Sequence, residues 1–251
     1  MTATAMTSLA RRALAALDLT SLGEDDRPEA IEALCAAAAG PGGAPAAVCV
    51  SPEHIVTARR ALDSRGLPLV RVATVANFPE GAADPARAAR ETRRAVAAGA
   101  DEVDVVLPWR AWLAGDRDGA RSLLAACREA SAGRCLKVIL ETGELRDAAE
   151  IRAASRAALA AGADFLKTST GKVAVNATPE AARVMLEVIR EHGRGGFKAA
   201  GGVRRLADAA PYFDLADSIL GPDWADARHF RIGASALLGE LRAALGATGA
   251  A

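Results

Sequence analysis

Through most of the chain, short apolar runs alternate with longer stretches rich in Ala and Arg. Eight runs read as buried strands, at 47–50, 69–75, 102–107, 136–141, 164–168, 196–199, 218–220 and 229–232. The stretches between them carry helix signals. Ser51-Pro52-Glu53, Asp84-Pro85 and Thr178-Pro179-Glu180 each place a capping side chain before a proline, which suits a first helical turn because proline leaves no unpaired N–H there. They predict helices over 54–64, 86–98 and 181–191. Gly66, Gly99, Gly162 and Gly193 sit where helices end, at positions that favour a left-handed backbone. The phrase AAGADEVDVV at 97–106 returns as AAGADFLKTS at 160–169, predicting helix end, glycine cap and strand twice over. Two helical stretches precede the first run. Residues 1–20 read as an amphipathic helix rather than a signal peptide, since Asp18 breaks the apolar run that follows Arg11-Arg12.

Eight strand–helix units in about 200 residues, with no linker dividing them, predict a parallel sheet. Eight strands close into a TIM (β/α)8 barrel, whereas fewer would leave a doubly wound sheet. The expectation is an α/β chain whose residues 1–251 form one barrel domain with an additional N-terminal helical segment. In that fold, chemistry belongs at the C-terminal ends of the strands.

Composition narrows the function. The 251 residues carry 31 basic and 31 acidic side chains, and this neutral balance offers no basic footprint for nucleic acid. No apolar stretch approaches the roughly 18 residues of a membrane span. The four cysteines, Cys35, Cys49, Cys127 and Cys135, form no CxxC, and His54, His192 and His229 lie far apart, so no metal site is expected. The picture is a soluble, cytoplasmic protein with reduced thiols, no nucleic-acid partner and no membrane partner. Of the 31 basic residues only four are lysine: Lys137, Lys167, Lys172 and Lys198. In so Arg-biased a background a retained lysine is a candidate for work that needs an amine, because a desolvated lysine can lose its proton and act as a nucleophile, whereas arginine stays charged.

Three of those lysines interrupt apolar strands. Lys137 lies within the run at 136–141, Lys167 ends the run at 164–168, and Lys198 does the same at 196–199. Glu102 and Asp104 share one face of the run at 102–107. Charges so placed must pair to be buried, and they read either as an ion network that only fixes the barrel or as a catalytic group at its mouth. Two adjacent lysines favour chemistry, since desolvation and a neighbouring ammonium both push an amine toward neutrality. A nearby carboxylate acts in the opposite direction, so Asp104 suits a proton shuttle better. The trio fits Schiff-base attack on a carbonyl, and metal-assisted aldol chemistry is the weaker reading. TSTGK at 168–172, GGVR at 201–204 and GAS at 233–235 each follow a strand. Gly171 frees backbone N–H groups beside Lys172, and the other two segments precede helices whose N-termini would favour an anion.

The stretches ADEVDVVLP, LKVILETGEL, ADFLKTSTGKVAVNATPEAA, GFKAAGGVR and GPDWADARHFRIGASALL closely resemble deoxyribose-phosphate aldolases, above all bacterial ones, from LDLT at 17–20 to the final helix. The resemblance implies a class I aldolase on a TIM barrel without a cofactor. It cleaves 2-deoxy-D-ribose 5-phosphate reversibly to D-glyceraldehyde 3-phosphate and acetaldehyde, in the breakdown of deoxynucleoside and deoxyribose phosphates. Its partners are then small phosphosugars and aldehydes, and family members often form homodimers. By motif, Lys167 resembles the Schiff-base lysine, Lys198 the lysine that perturbs it and relays protons, and Asp104 the proton donor and acceptor. Asp18 resembles the substrate-side aspartate of DLT. Gly171, Lys172, Gly201, Gly202, Val203, Arg204, Gly233 and Ser235 resemble the phosphate-binding segments.

Three positions depart from the familiar pattern. Ala199 stands where a proline is usual, which is expected to loosen the Lys198 segment. Ala236 replaces a second serine, and LGATGAA lacks the C-terminal tyrosine that some members use in proton transfer. Turnover is therefore expected to be slower or to lean more on a water relay. Cys49 ends the first predicted run, where it reads first as a small buried hydrophobe and, only if exposed at the mouth, as an aldehyde-sensitive thiol. Two alternatives stay open: a Schiff-base aldolase or transaldolase with another donor, and a non-catalytic phosphosugar-binding barrel.

Overall fold

The computed structural model describes residues 3–145 and 147–246. The departure at 247–251 lies outside the described residues. The strands are β1 (Leu17–Ser21), β2 (Ala47–Val50), β3 (Arg71–Ala76), β4 (Glu102–Val106), β5 (Cys135–Ile139), β6 (Phe165–Lys167), β7 (Gly196–Ala200) and β8 (Phe230–Ala234). They pair in parallel and in chain order, and β8 returns to β1 to close a TIM barrel. The helices before β5 are α1 (Ala3–Ala15), α2 (Pro28–Ala38), α3 (Ile55–Asp63), α4 (Pro85–Ala97), α5 (Trp109–Leu113) and α6 (Arg117–Ala130). After it come α7 (Thr142–Leu145), α8 (Ala148–Ala160), α9 (Pro179–His192), α10 (Leu206–Leu220) and α11 (Leu237–Gly246).

The strand count agrees with expectation, but two assignments differ. Residues 218–220 are the last turn of α10, which ends at Gly221. A three-residue run has no period of its own, and here Ser218 is exposed while Ile219 and Leu220 are half-buried against the core on the helix's last turn. The missing strand is β1. Within the stretch read as helical, α1 stops at Ala15, and Leu17-Asp18-Leu19-Thr20 alternates with period two. The first six strands named from sequence therefore move up by one while the last stays β8, which places Lys137 on β5, Lys167 at the end of β6 and Lys198 within β7. GGVR now follows β7 and GAS closes β8, the pair of loops where barrels most often bind phosphate.

Local signals behave as their chemistry dictates. Asp84 and Thr178 accept hydrogen bonds from the N–H groups of Arg87 and Ala181, at 2.8 and 3.2 Å. Ser51 makes no such bond, because a 3-10 turn over Pro52–His54 intervenes before α3. In the repeated GAD phrases, the carboxylates of Asp101 and Asp164 accept from the N–H groups of Val72 and Leu136, at 2.9 and 2.8 Å. Each phrase thus pins the start of the preceding strand.

The outward strand residues, among them Leu19, Val48, Val72, Val103, Val105, Val138, Leu166, Phe197 and Ile232, pack into one core with the helices. At roughly 1.5–3 kcal/mol per buried side chain of this kind, that outer layer stabilises the barrel without help from its interior. The interior is accordingly free to carry polar groups. On β2 and β3 it includes the small Ala47, Cys49 and Ala73. The remaining strands fill it with charge.

Candidate active site

Seven ionisable side chains from β1, β4, β5, β6, β7 and β8 meet inside the barrel, each of them buried. At the lower end Arg231 reaches from β8 to the opposite wall, donating to Glu102 at 2.9 and 3.1 Å and to Asp18 at 2.7 Å. Lys137 stands between Glu102 at 2.7 Å and Asp104 at 2.6 Å. Higher up, Lys167 and Lys198 pair in strand register and both donate to Oδ2 of Asp104, at 2.9 and 2.8 Å. Lys198 also donates to Asp18. The structure thus brings together Asp18, Asp104, Lys167 and Lys198, all placed at the site from sequence. One connected network contains both the barrel ion pairs and the lysine pair.

The network treats its amines differently. Burial disfavours the charged form of each, and the winner depends on the partners. For Lys137, Asp104, Glu102 and Asp18 overcome burial and hold the ammonium well above its ordinary range. For Lys198, Asp104 and Asp18 do the same. Lys167 has Asp104 as its one carboxylate partner, with Cys49 adding less and Lys198 repelling it, so burial wins and its affinity for a proton falls. Asp104 is also buried, but Lys137, Lys167 and Lys198 together hold its carboxyl well below the usual range. Counting charges leads to the same place. Three carboxylates face four basic groups, and a neutral Lys167 leaves three against three. Lys167 is therefore the amine most ready to act as a nucleophile.

Around the mouth, Gly171 is exposed at φ +86°. Lys172 beside it spans to the first loop, donating to the Leu22 carbonyl at 3.1 Å. Lys172, Leu22, Glu53, Val75 and Phe78 line a cleft of about 700 Å³. Gly201 and Gly202 both take left-handed backbone, and a Cβ on Gly201 would collide with Asn176 at 2.6 Å. The expected anion site at the N-terminus of α10 needs correction. The N–H groups of Arg204 and Arg205 already donate to Asp208, and that of Leu206 donates to Glu240, so the helix end is capped from within. Arg204 itself is exposed, while Val203 turns into the core. Gly233 sits under the Lys198 chain, where a Cβ would lie 3.0 Å from Cε, and Ser235 is exposed just before α11.

One further expectation changes and one open alternative closes. Position 199 lies inside β7, buried and in register with Ile232, so Ala199 continues a strand instead of loosening a loop. Cys49 lies within β2, fully buried, and burial raises its thiol above the ordinary value. It is held in the neutral form and not presented as a reactive thiolate. Sequence reasoning missed Arg231, hidden among 27 arginines, although an arginine inside an apolar strand run was available as a signal. It also missed Thr168, whose hydroxyl bridges to Ala200 N and O at 3.0 and 3.1 Å and ties β6 to β7 beyond the lysine pair.

Among known proteins, the DeoC/LacD family aldolase pattern matches residues 12–217. A Toxoplasma gondii ME49 protein that carries the provisional name deoxyribose-phosphate aldolase superposes with a TM-score of 0.89 at 28% identity, covering 98% of this chain and 97% of that one. A Coccidioides immitis protein with the same provisional name gives 0.79 at 32% identity, covering 93% of this chain and 87% of its own. The deoxyribose phosphate aldolase of Aeropyrum pernix, at 23% identity and 0.74 over 100% of this chain and 99% of its own, shares the fold. A TIM barrel with a buried lysine pair, matched to this pattern over most of its length, makes the chain a member of the DeoC/LacD family of aldolases.

Proposed function

We propose that this chain is a class I aldolase that reversibly cleaves 2-deoxy-D-ribose 5-phosphate to D-glyceraldehyde 3-phosphate and acetaldehyde. One observation carries the reading: of the interior cations, Lys167 alone is driven toward neutrality, and it shares a carboxylate oxygen with Lys198. The neutral Lys167 amine adds to the C1 aldehyde and water leaves, forming a protonated imine. As a base takes the C3 hydroxyl proton, the C2–C3 electron pair flows into the iminium and glyceraldehyde 3-phosphate departs. The remaining enamine takes a proton at carbon, and water releases acetaldehyde from Lys167. Asp104 and Lys198 are assigned the proton traffic through a bound water. Asp104 so strongly held as a carboxylate suits passing a proton on more than keeping it. Asp18 keeps Lys198 charged and in place. Lys172, Gly171, Gly201, Gly202, Gly233 and Ser235 are assigned to the phosphate side, with Val203 offering its backbone alone and Arg204, its N–H taken by Asp208, its exposed side chain.

Incubation with acetaldehyde, borohydride reduction and peptide mass spectrometry tests the mechanism. An ethyl group on Lys167 that is absent from Lys167→Ala is the expected result, and a coupled assay with deoxyribose 5-phosphate then tests the substrate. An adduct on Lys198 would reverse the two lysine roles. Binding of the phosphosugar without adduct or turnover would favour the non-catalytic barrel.

A further inference from the structure

Glu141 is a buried carboxylate that stands outside the interior ion network. It follows β5 with φ +58°, a left-handed conformation that costs a non-glycine residue on the order of 1–3 kcal/mol and persists only where its surroundings enforce it. Strand pairing continues on both sides of it. Leu140 N–H donates to the Lys167 carbonyl and Thr142 N–H to the Thr168 carbonyl, each at 2.9 Å. The turn between these bonds brings the Glu141 carboxylate to Thr170, from which it accepts the backbone N–H at 3.1 Å and the hydroxyl at 2.7 Å. The same hydroxyl accepts from Lys172 N–H at 3.0 Å. Carboxylate, hydroxyl and the Lys172 backbone thus form one chain, running from the end of β5 to the segment that carries Gly171 and Lys172.

We infer that Glu141 is a positioning residue for anion binding, holding the Thr170–Lys172 segment in the shape that receives the substrate phosphate. The inference rests on the proposed reading that Gly171 and Lys172 lie on the phosphate side. A buried carboxylate on a strained backbone is poorly explained by packing alone, since an apolar side chain would fill the space and a glycine would relieve the strain. It is well explained by the two Thr170 donors, which would otherwise be left unsatisfied beside an exposed loop. Gly171 gives that loop a free left-handed turn, so some other group must fix its shape.

The test measures inorganic phosphate affinity by calorimetry in the wild type, Glu141→Gln, Thr170→Val and Thr170→Ser, with borohydride trapping of acetaldehyde alongside. Glu141→Gln and Thr170→Val are expected to weaken phosphate by roughly five- to tenfold, with Thr170→Ser restoring it, as for loss of one charge-assisted hydrogen bond. Trapping on Lys167 is expected to stay within about twofold, because acetaldehyde has no phosphate and the amine is held by other residues. With deoxyribose 5-phosphate, the two weakened variants are expected to raise KM and leave kcat largely unchanged. Unchanged phosphate affinity in both, no phosphate binding by the wild type, or parallel loss of trapping would overturn the inference. Glu141-dependent phosphate binding in a wild type that does not cleave deoxyribose 5-phosphate would instead leave it standing and sink the proposed substrate.

Discussion

The surplus of one cation inside the barrel makes a stability prediction that separates two residues of similar burial. Replacing Arg231 by Met removes a guanidinium that makes three bonds to Asp18 and Glu102, of 2.7, 2.9 and 3.1 Å, and one to the Ala227 carbonyl at 2.6 Å. Two buried carboxylates then keep only Lys137 and Lys198 as direct partners. Breaking a buried pair in this way costs about 3–5 kcal/mol, because Asp18 and Glu102 lose their guanidinium hydrogen bonds and the charge balance returns only if Lys167, which bonds Asp104 and neither of them, takes up a proton. In a chain of this size each kcal/mol lowers Tm by about 2–4 °C, so Arg231→Met should melt about 6–20 °C earlier. Lys167→Met removes the fourth cation instead. Asp104 keeps Lys137 and Lys198, three charges of each sign remain, and the methionine fills most of the space. Its stability should stay within about 1 kcal/mol of the wild type. Urea denaturation at pH 7, with calorimetry as a second probe, reads both. Equal large losses in the two variants would refute the idea that Lys167 is the dispensable charge.

Three other outcomes follow from the same geometry. Because the folded protein holds Lys167 below its ordinary value of 10.5, the unfolded chain binds more protons in the window between, and stability should climb with pH there. That contribution is complete above the ordinary value and lost as pH falls through the folded one; the buried thiols, held above their ordinary value, act oppositely in both proteins, so across alkaline pH the urea midpoint of wild type should rise relative to that of Lys167→Met. Gly201→Ala forces a side chain onto φ +85° and into Asn176, so a loss of about 1–3 kcal/mol in urea unfolding is expected, with a raised KM for a phosphorylated substrate. Lys172→Met should raise KM for deoxyribose 5-phosphate by roughly tenfold in steady-state assays while kcat changes little, as for loss of an interaction made equally before and during reaction. A fall in kcat with KM unchanged would place Lys172 at the chemistry instead.

Much of this protein was legible from local rules. Caps at Asp84 and Thr178, glycines after helices and the alternation of apolar runs report on neighbours a few residues away, which is the range over which backbone hydrogen bonding acts. They sufficed for a barrel, and the scarcity of lysine pointed to the amines that matter. The errors came where local pattern is mute. The run at 218–220 is too short to show a period, and β1 was absorbed into the helix before it. Tertiary structure alone decided which amine loses affinity for its proton. Lys137, Lys167 and Lys198 look alike in sequence, each a lysine in an apolar strand, yet two sit between paired carboxylates and one does not. Arg231 joins Glu102 across 129 positions of chain, and Glu141 reaches Thr170 across 29. Proton affinity depends on the charges and solvent within a few ångströms in space. Barrel closure, and not the order of residues along the chain, sets those distances.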